Sequence, residues 1–338
     1  MLAYIGRRLL MMVGILIGVV AVTFALSHIL PGSPVELMLG HRPTPEQIEA
    51  AKRALGLDQP MWQQFYNYLV AALQGDFGTS LRSGQPVLSE IGARMAATFE
   101  LTTLAVIIVV IVGVPLGVLS AVKQNSMVDH AGRSISIAGV ALPVFLIGMM
   151  LQMLFYGQLG WFPLQGRINS EVMLDYPFHN TTGLYLIDSF LSGQWVALLS
   201  SFQHLVLPVL TLAIASLAVV TRITRNTMIE VLGEDYIKTA LAYGIPLRKI
   251  HYRFAFKATM IPMLTVIGLT YGFMLGGSVV VEYVFDWPGL GSYVVGAITK
   301  NDFPSVMGVT LFLATLYLSI NLIVDLLYYV VDPRLRAS

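Results

Sequence analysis

The chain has 338 residues, of which 56% are Ala, Val, Ile, Leu, Met, Phe, Trp, Tyr or Cys and only 12% are charged. A soluble globule needs more polar surface than this, and a disordered chain needs more charge, so both classes are excluded. The 20 basic and 19 acidic residues give a net charge of +1, which does not indicate a nucleic-acid partner. The absence of cysteine excludes disulfide frameworks, cysteine-based metal sites and thiol nucleophiles. This composition predicts an all-α integral membrane protein with several spans.

Six apolar stretches reach or approach the roughly 20 residues that a helix needs to cross the hydrocarbon core. They are residues 9–30, 101–122, 134–157, 205–221, 261–281 and 306–331. The fourth stretch is short, so its helix is expected to begin earlier, near Val196. Arg7 and Arg8 precede the first stretch as in a signal peptide, but its apolar run exceeds the about 7–15 residues of a cleaved segment. The first stretch is therefore expected to be a retained span.

The lysines and arginines indicate the orientation of the spans. With a cytoplasmic N-terminus, 13 of the 20 basic residues lie on the inner side and 7 lie in the longer outer segments. This distribution predicts that both termini are cytoplasmic, that residues 31–100 and 158–203 are outside, and that residues 222–260 are inside. All four tryptophans then lie on the outer side, as in an interfacial belt.

The first outer segment contains three helix-like pieces, at residues 44–55, 61–74 and 87–97. Thr44 and Gln47 have the spacing of a capping box, and Gly56 is placed to end the first of these helices. The predicted organisation is a cytoplasmic tip and first span at 1–30, a helical outer segment at 31–94, a membrane domain at 95–331 and a cytoplasmic tail at 332–338.

No motif for bond-making chemistry occurs in the sequence. It contains no phosphate-binding loop, no dinucleotide-binding glycine pattern, no H-E-x-x-H and no G-x-S-x-G. The six histidines lie far apart and are interpreted as structural or surface residues. The sequence thus predicts a non-catalytic chain with no cofactor or metal of its own, so uphill transport would need another subunit or an ion gradient.

An ion-coupled carrier normally has ionisable residues at membrane depth. Within the six predicted spans only Asp325 is charged, and it lies one helical turn from Asn321. Asp325 could serve as a relay or gate residue, or it could pair with a basic residue at the cytoplasmic interface. The scarcity of charge in the spans favours the second interpretation.

The inner segment 222–260 is the most charged part of the chain. Glu234 and Asp235 open a predicted helix at 234–243, because carboxylates favour the positive end of a helix. Gly244, followed by Pro246, is placed to close it. A second, basic helix is predicted at 247–258, before the next span.

The first of these two helices has features suited to a partner. Ala240 is small enough for close approach by another surface, and Tyr236 and Tyr243 lie two turns apart on one face. The helix could instead lie on anionic lipid, since basic residues follow it. Those residues are Arg248, Lys249, Arg253 and Lys257.

This segment resembles the cytoplasmic coupling segment of ABC-importer permeases, the E-A-A…G motif in its peptide-importer form. Thr239 and Ala240 match the second and third positions, and Gly244 matches the glycine. Lys238 stands where the broad motif has Glu, and Pro262 lies farther from the glycine than in sugar-importer permeases. Both departures are usual in the peptide and nickel branch.

The resemblance to the B-type permease subunit of this dipeptide, oligopeptide and nickel branch extends along the chain. Short matches follow in the expected order at residues 4–9, 31–34, 55–60, 75–80, 98–101, 115–117, 222–225, 230–232, 235–237, 285–291, 302–304 and 332–334. Ser33 departs from the pattern, since Asp is usual there.

The resemblance implies six transmembrane helices in the type I ABC-importer permease fold, in the bacterial cytoplasmic membrane. It implies a heterodimer with a C-type permease, two cytoplasmic ATPase subunits that bind ATP and Mg, and an outer binding protein that delivers di- or oligopeptides. The residues it assigns to ATPase coupling are Glu234, Asp235, Tyr236, Lys238, Thr239, Ala240, Tyr243 and Gly244. The alternatives are nickel chelates, glutathione or another small solute as cargo, an ion-coupled carrier, or a membrane scaffold.

Three glycines recur at every fourth residue of the fifth predicted span. Gly268, Gly272 and Gly276 are expected to share one helix face and to let a neighbouring backbone come close. That face could pack within the subunit, or it could form the translocation pathway or the seam with the partner permease.

Overall fold

The computed structural model describes residues 2–29, 44–54 and 56–331. None of these residues belongs to a β-strand, and their strand-like pairing is limited to one bridge between Thr79 and Pro86. The prediction of an all-α chain is confirmed. The matched segments 31–34 and 332–334 lie outside the described residues.

The described helices follow one another in chain order. They are α1 Leu2–Ile29, α2 Pro45–Ala54, α3 Met61–Leu73, α4 Val87–Ile108, α5 Val114–Val122, α6 Met127–Ala141, α7 Val144–Leu151, α8 Ser170–Asp175, α9 Tyr185–Leu191, α10 Trp195–Leu232, α11 Asp235–Ala242, α12 Leu247–Lys249, α13 Phe256–Val284, α14 Leu290–Thr299 and α15 Phe303–Val331. A π-helical turn at Val109–Gly113 joins α4 to α5, another at Gln152–Gln158 extends α7, and a third at Ile250–Ala255 joins α12 to α13.

Five helical stretches within the described residues are long and apolar enough to cross a bilayer. They are Ile5–Ser27, Val87–Val122, Trp195–Leu232, Leu247–Val284 and Phe303–Leu327. They cover all the predicted spans except the third. On α1 the apolar side chains of Leu10, Val13 and Val22 are largely exposed, as expected of a helix that is apolar all round and surrounded by hydrocarbon.

The third predicted span, residues 134–157, is not one continuous helix. α6 ends at Ala141, and Leu142 has extended backbone angles of φ −90° and ψ 133°. The cause is Pro143, because a proline disfavours helical backbone at the residue before it. The apolar helix that follows, Val144–Gln158, is shorter than the five long stretches. The prediction of a single helix here is therefore wrong.

Two other boundaries differ from the predicted ones. The expected outer helix 87–97 and the expected second span form one continuous helical stretch. Residues 87–112 contain no proline and only one glycine, Gly92, which the helix tolerates. The predicted helix 247–258 is likewise continuous with the following span through the π-helical turn Ile250–Ala255. α10 begins at Trp195, as expected, and continues to Leu232.

The first outer helix begins and ends as its local sequence predicts. The Gln47 N–H donates to Thr44 Oγ1 at 3.3 Å, and the Thr44 N–H donates to Gln47 Oε1 at 2.9 Å. At the other end Gly56 has a φ of 66°, and the Leu57 N–H donates to the Lys52 carbonyl at 2.8 Å. This is the Schellman arrangement that a glycine favours after a helix.

The chain divides into two compact units. One consists of Met1–Ala97 with Pro288–Ser319, and it contains a small apolar core of Val87, Ile91, Leu290 and Val309. The other consists of Thr98–Trp287 with Ile320–Ser338. Within the second unit α10 is central, since it packs against α5, α6 and α13.

Candidate functional site

The short helix α11 is held by its buried face on an apolar cluster. Ile237 and Ala240, three residues apart and hence on one side, are its buried residues. We call the cluster the α11 core; its buried members are Val118, Ala121, Met228, Ile237, Ala240, Ile250 and Ala255. These residues belong to α5, α10, α11 and the π-helical turn before α13, so α11 shares one apolar cluster with three membrane helices or their ends.

The C-terminal end of α11 is closed by Gly244. Gly244 has a φ of 71°, its N–H donates to the Leu241 carbonyl at 2.9 Å, and the Ile245 N–H donates to the Ala240 carbonyl at 3.1 Å. This is again a Schellman arrangement, and Ile245 packs against the α11 core that contains Ala240. The prediction that Gly244 ends this helix is confirmed.

The outward side of α11 is polar and aromatic. Tyr236, Lys238, Thr239 and Tyr243 are all exposed. The Lys238 ammonium lies 2.8 Å from Asp235 Oδ1, but both side chains are mostly in solvent, so this ion pair contributes little to stability. Partial desolvation, together with the charge of Glu234 at the N-cap, raises the pKa of the Tyr236 hydroxyl.

The structure corrects the expectation for Ala240. Its side chain is only 8% exposed and packs in the α11 core, so it does not lie at the closest approach of a partner. A small residue is needed here because the helix is packed closely on its own subunit. Ala242, two residues later, is the exposed alanine of this helix.

A buried aspartate joins α6 to α10 near the α11 core. Asp129 Oδ1 accepts a hydrogen bond from Arg225 Nε at 2.5 Å, and Oδ2 accepts from Arg225 Nη2 at 2.8 Å and from Arg133 Nη2 at 2.7 Å. The Asn125 N–H also donates to Oδ2 at 2.9 Å. We call these four residues the Asp129 clamp.

The clamp keeps its carboxylate ionised. The hydrogen bonds from Arg225 hold the pKa of Asp129 well below its usual range, with the Asn125 N–H and Arg133 acting in the same direction and desolvation opposing them. Sequence reasoning missed this site, although Asp129 and Arg133 have the i, i+4 spacing of a helical ion pair and residue 225 lies in a matched segment.

A second buried charge cluster lies in the same unit. Arg167 is 7% exposed; its Nη2 donates to Glu100 Oε2 at 2.5 Å and to the Gly183 carbonyl at 2.9 Å. Its guanidinium lies 3.7 Å from the ring centre of Tyr185, and Glu100 Oε1 accepts from the Leu186 N–H at 2.9 Å. The cluster ties the segments around α9 to α4. Glu100 and Arg167 lie in the two predicted outer segments, 31–100 and 158–203, and nothing in their spacing predicts the pair.

Glu282 corrects the expectation that Asp325 is the charged residue of the spans. Glu282 lies in the last turn of α13 and has no exposed surface. Its Oε1 accepts hydrogen bonds from Thr98 Oγ1 at 2.7 Å and from Ser278 Oγ at 3.1 Å. Glu282 directly follows the predicted span 261–281, and the observed helix continues through it to Val284. Asp325 is half-buried in α15.

Two matched segments that are far apart in the sequence meet within the first unit. Ser80 Oγ donates to Asp302 Oδ2 at 2.5 Å across 222 residues, and the Leu81 N–H donates to Asp302 Oδ1 at 3.1 Å. Ser305 Oγ donates to the same carboxylate at 2.8 Å. The same unit is also closely packed at Gly308. A Cβ added there would lie only 2.7 Å from a methyl group of Val87.

The three glycines of α13 do not share one environment. Gly268 and Gly272 are buried, and a Cβ at Gly268 would overlap the side chain of Val324 on α15. Gly276 is exposed, with no atom within 4 Å of a Cβ placed there. The first glycine therefore serves packing within this subunit, and the last leaves open surface.

The described residues contain no group of three or more His, Asp or Glu side chains arranged to hold a metal ion. Their clusters pair carboxylates with guanidinium, hydroxyl or backbone N–H groups instead. α11 is thus a short helix with one face packed in the α11 core and the other face exposed.

Comparison with known families identifies the class. The family described as "Binding-protein-dependent transport system inner membrane component" matches residues 113–337, and the corresponding N-terminal family matches residues 1–102. The chain belongs to the family of inner-membrane components of binding-protein-dependent transport systems. With its five long apolar helical stretches among the described residues, it is a multi-pass inner-membrane protein.

The chain is similar over almost its full length to transport system permease proteins. It is 42% identical over 336 residues to the dipeptide transport system permease protein DppB of Alkalihalophilus pseudofirmus, covering 99% of this chain and 100% of the relative. It is 44% identical over 318 residues to the probable D,D-dipeptide transport system permease protein DdpB of Escherichia coli, covering 94% and 93%. It is 36% identical over 336 residues to the glutathione transport system permease protein GsiC of Salmonella choleraesuis, covering 99% of each. The resemblance stated from the sequence is confirmed.

Proposed function

We propose that this chain is the permease subunit that forms half of the translocation pathway of an ATP-driven peptide importer. The similarity to two dipeptide permeases, at 42% and 44% identity, supports di- or oligopeptides as cargo. The other half of the pathway is a homologous C-type permease. A substrate-binding protein delivers the peptide from outside, and two cytoplasmic ATPase subunits bind ATP and Mg.

The arrangement of α11 carries the docking part of this proposal. Its inner face, Ile237 and Ala240, is packed in the α11 core, while its outer face is free for a groove on an ATPase. Because the same core includes Met228 of α10 and Ile250 beside α13, displacement of α11 by an ATPase would be transmitted to membrane helices.

We also propose six spans with both termini cytoplasmic. The short apolar helix Val144–Gln158 would supply the third span together with the part of α6 from residue 134 onward, in addition to the five long stretches. The organisation inferred from the sequence is retained: a tip and span at 1–30, an outer helical segment at 31–94, the transmembrane domain at 95–331 with a coupling segment at 222–260, and a tail at 332–338.

Substitution of the two alanines of α11 tests the docking proposal. Ala242→Glu adds a bulky charge to the exposed face, so the subunit should insert and fold normally but co-purify less ATPase and lose substrate-stimulated ATP hydrolysis. Ala240→Glu places the charge in the α11 core and should lower the yield of the folded subunit itself. Gln124→Glu adds the same charge at an exposed turn after α5 and should change neither property.

Retention of ATPase and full ATP hydrolysis by the Ala242→Glu complex would contradict docking through this face. The outcome for Ala240→Glu does not decide this point, since a fold defect there follows from the structure of the subunit alone.

Cargo can be tested with the complete transporter and its binding protein in proteoliposomes. Dipeptides should stimulate ATP hydrolysis and accumulate inside. Glutathione is the second candidate, because a glutathione permease is 36% identical to this chain over 336 residues. Stimulation by glutathione or a nickel chelate, with none by di- or oligopeptides, would replace the peptide assignment and leave the permease assignment intact. Uptake driven by an ion gradient without ATP would contradict both.

A further inference from the structure

Four basic side chains follow α11 in the segment that leads into α13. Arg248, Lys249, Arg253 and Lys257 are all exposed, and none makes an ion pair within the part of the chain that the structure describes. Residues 236–281 contain no Asp or Glu at all. Nearby basic residues behave differently, since Arg133 and Arg225 both hold Asp129 and Lys238 holds Asp235. These four exposed charges therefore have no ion-pair partner among the described residues, which leaves them available to an anionic partner.

Their position is at the end of a membrane helix. The stretch Leu247–Val284 is continuous and has the length and composition of a span, and Lys257 is the second residue of α13. Basic residues that directly flank an apolar span lie at the level of the lipid headgroups. The exposed Tyr252 and Leu247 lie in the same segment and have the aromatic and apolar character typical of a membrane interface.

The π-helical turn brings the cations toward one face. Lys249, Arg253 and Lys257 recur at every fourth residue, a spacing that overshoots one turn of an α-helix. Ile250–Ala255 is a π-helical turn with i→i+5 hydrogen bonds and therefore has more residues per turn than an α-helix. Residues four apart are thus closer to alignment around the helix axis here than in an α-helix. Ile250 and Ala255 meanwhile lie buried in the α11 core. The segment thus has a packed apolar side and an exposed basic side.

We propose that this basic face binds the phosphate groups of anionic phospholipids in the adjacent leaflet. Charge complementarity supports an anionic partner, and direct continuity with α13 supports lipid over an acidic protein surface. α11 and the basic face then have separate partners, protein for the first and lipid for the second. The inference requires only that α13 crosses the bilayer and is independent of the peptide cargo.

Contact quenching by brominated lipid tests the proposal. The assembled transporter carrying Tyr252→Trp is placed in nanodiscs that contain brominated phosphatidylglycerol or brominated phosphatidylcholine, and its emission is compared with that of the parent complex. The added tryptophan should be quenched more by phosphatidylglycerol at equal lipid content. Raising the salt concentration should reduce the difference, because ions screen exposed charges.

Neutralising the basic face should remove this preference. We expect the preference for phosphatidylglycerol over phosphatidylcholine to fall on the order of tenfold. Each cation near an anionic surface contributes about 1 kcal/mol, or roughly fivefold in affinity, before screening by salt. The four substitutions are Arg248→Gln, Lys249→Gln, Arg253→Gln and Lys257→Gln. The matched control removes four exposed charges from segments assigned to the opposite side and should retain the preference. Its substitutions are Lys52→Gln, Arg53→Gln, Arg82→Gln and Lys300→Gln.

Three results would overturn the proposal: equal quenching by the two lipids, an unchanged preference after neutralisation, or loss of the ATPase subunits with the lipid preference intact. The last result would assign the basic face to protein contact. Thiol labelling of Ser83→Cys in each background checks that insertion is unchanged, since basic residues also influence orientation.

Discussion

Arg225 holds both carboxylate oxygens of Asp129, at 2.5 Å from Nε and 2.8 Å from Nη2, although 96 residues separate them in the sequence. The carboxylate has no exposed surface, and Arg133 donates to it as well. Met228, three residues after Arg225, belongs to the α11 core. The pair therefore stiffens the end of α10 where α11 is attached.

Replacing Asp129 should loosen this end of the protein. Asp129→Asn removes the charge-assisted bonds from two arginines, and we expect the subunit to lose roughly 1–3 kcal/mol of stability at neutral pH. Thermal unfolding of the purified complex measures the loss. Asp175→Asn, at an exposed carboxylate, is the control and should leave the unfolding temperature unchanged.

The clamp also predicts a pH dependence. The folded-state pKa of Asp129 lies below that of an unfolded aspartate, which is about 3.9. Its contribution is therefore fully present above about pH 4 and is lost as the pH falls through the folded-state value. The stability difference between the parent and Asp129→Asn should be constant near neutrality and should narrow only in strong acid. A difference that narrows already between about pH 7 and pH 5 would contradict this assignment.

The end of α11 should depend on glycine at position 244. Gly244 has a φ of 71° with no neighbouring atom within 4 Å of an added Cβ, so a substitution costs backbone strain and causes no clash. Gly244→Val should lose about 1–2 kcal/mol and weaken transport, whereas Gly244→Asn should keep most activity because asparagine tolerates this conformation. Equal transport by Gly244→Val and Gly244→Asn would show that the positive φ at residue 244 does not matter for transport. Gly14→Ala, at an open helical position in α1, is the control.

The contact between Ser80 and Asp302 should hold the exposed turn at residues 81–85 in place. Asp302→Ala leaves the Ser80 and Ser305 hydroxyls and the Leu81 N–H without their acceptor. Each of these groups that stays buried and unsatisfied should lower the stability by roughly 1–3 kcal/mol. Trypsin should then cut faster at Arg82. In a double-mutant cycle the effects of Ser80→Ala and Asp302→Ala should be strongly non-additive, and additive effects would exclude a direct interaction.

The glycines of α13 should respond differently to the same substitution. Gly268→Val would collide with Val324 and should lower the amount of folded subunit, and Val324→Ala should restore part of it. Gly276→Val has open space and should leave the isolated subunit stable. If Gly276 lies at the seam, Gly276→Val should reduce recovery of the partner permease. Recovery at the parental level would remove Gly276 from that seam.

The proposed topology can be tested directly because the chain has no cysteine. Ser83 and Lys249 are both exposed, so single cysteines there are accessible to a reagent on the correct side. A membrane-impermeant thiol reagent applied to intact spheroplasts should label Ser83→Cys and spare Lys249→Cys, and both should react after lysis. The opposite pattern in intact cells would reverse the orientation.

Features that depend on composition or on contacts within one helical turn could be predicted from the residues alone. The apolar stretches predict an all-α membrane protein because hydrocarbon requires every backbone group to be satisfied within its own segment. Thr44 with Gln47, Gly56 and Gly244 predicted their helix ends correctly, since a cap uses only residues next to it in the chain. Pro143 carried a local signal for the break between α6 and α7 that the hydropathy pattern obscured.

Only the tertiary structure decided which surface each residue faces. A small residue at position 240 is compatible both with a close partner contact and with packing inside the subunit. The burial of Ala240 in the α11 core shows that it packs inside the subunit. Gly268 and Gly276 have the same spacing signal, yet one meets Val324 and the other is open. The pairs of Asp129 with Arg225 and Ser80 with Asp302 join residues 96 and 222 positions apart. Such contacts depend on how helices pack against one another, and a one-dimensional pattern of residue types does not specify that packing.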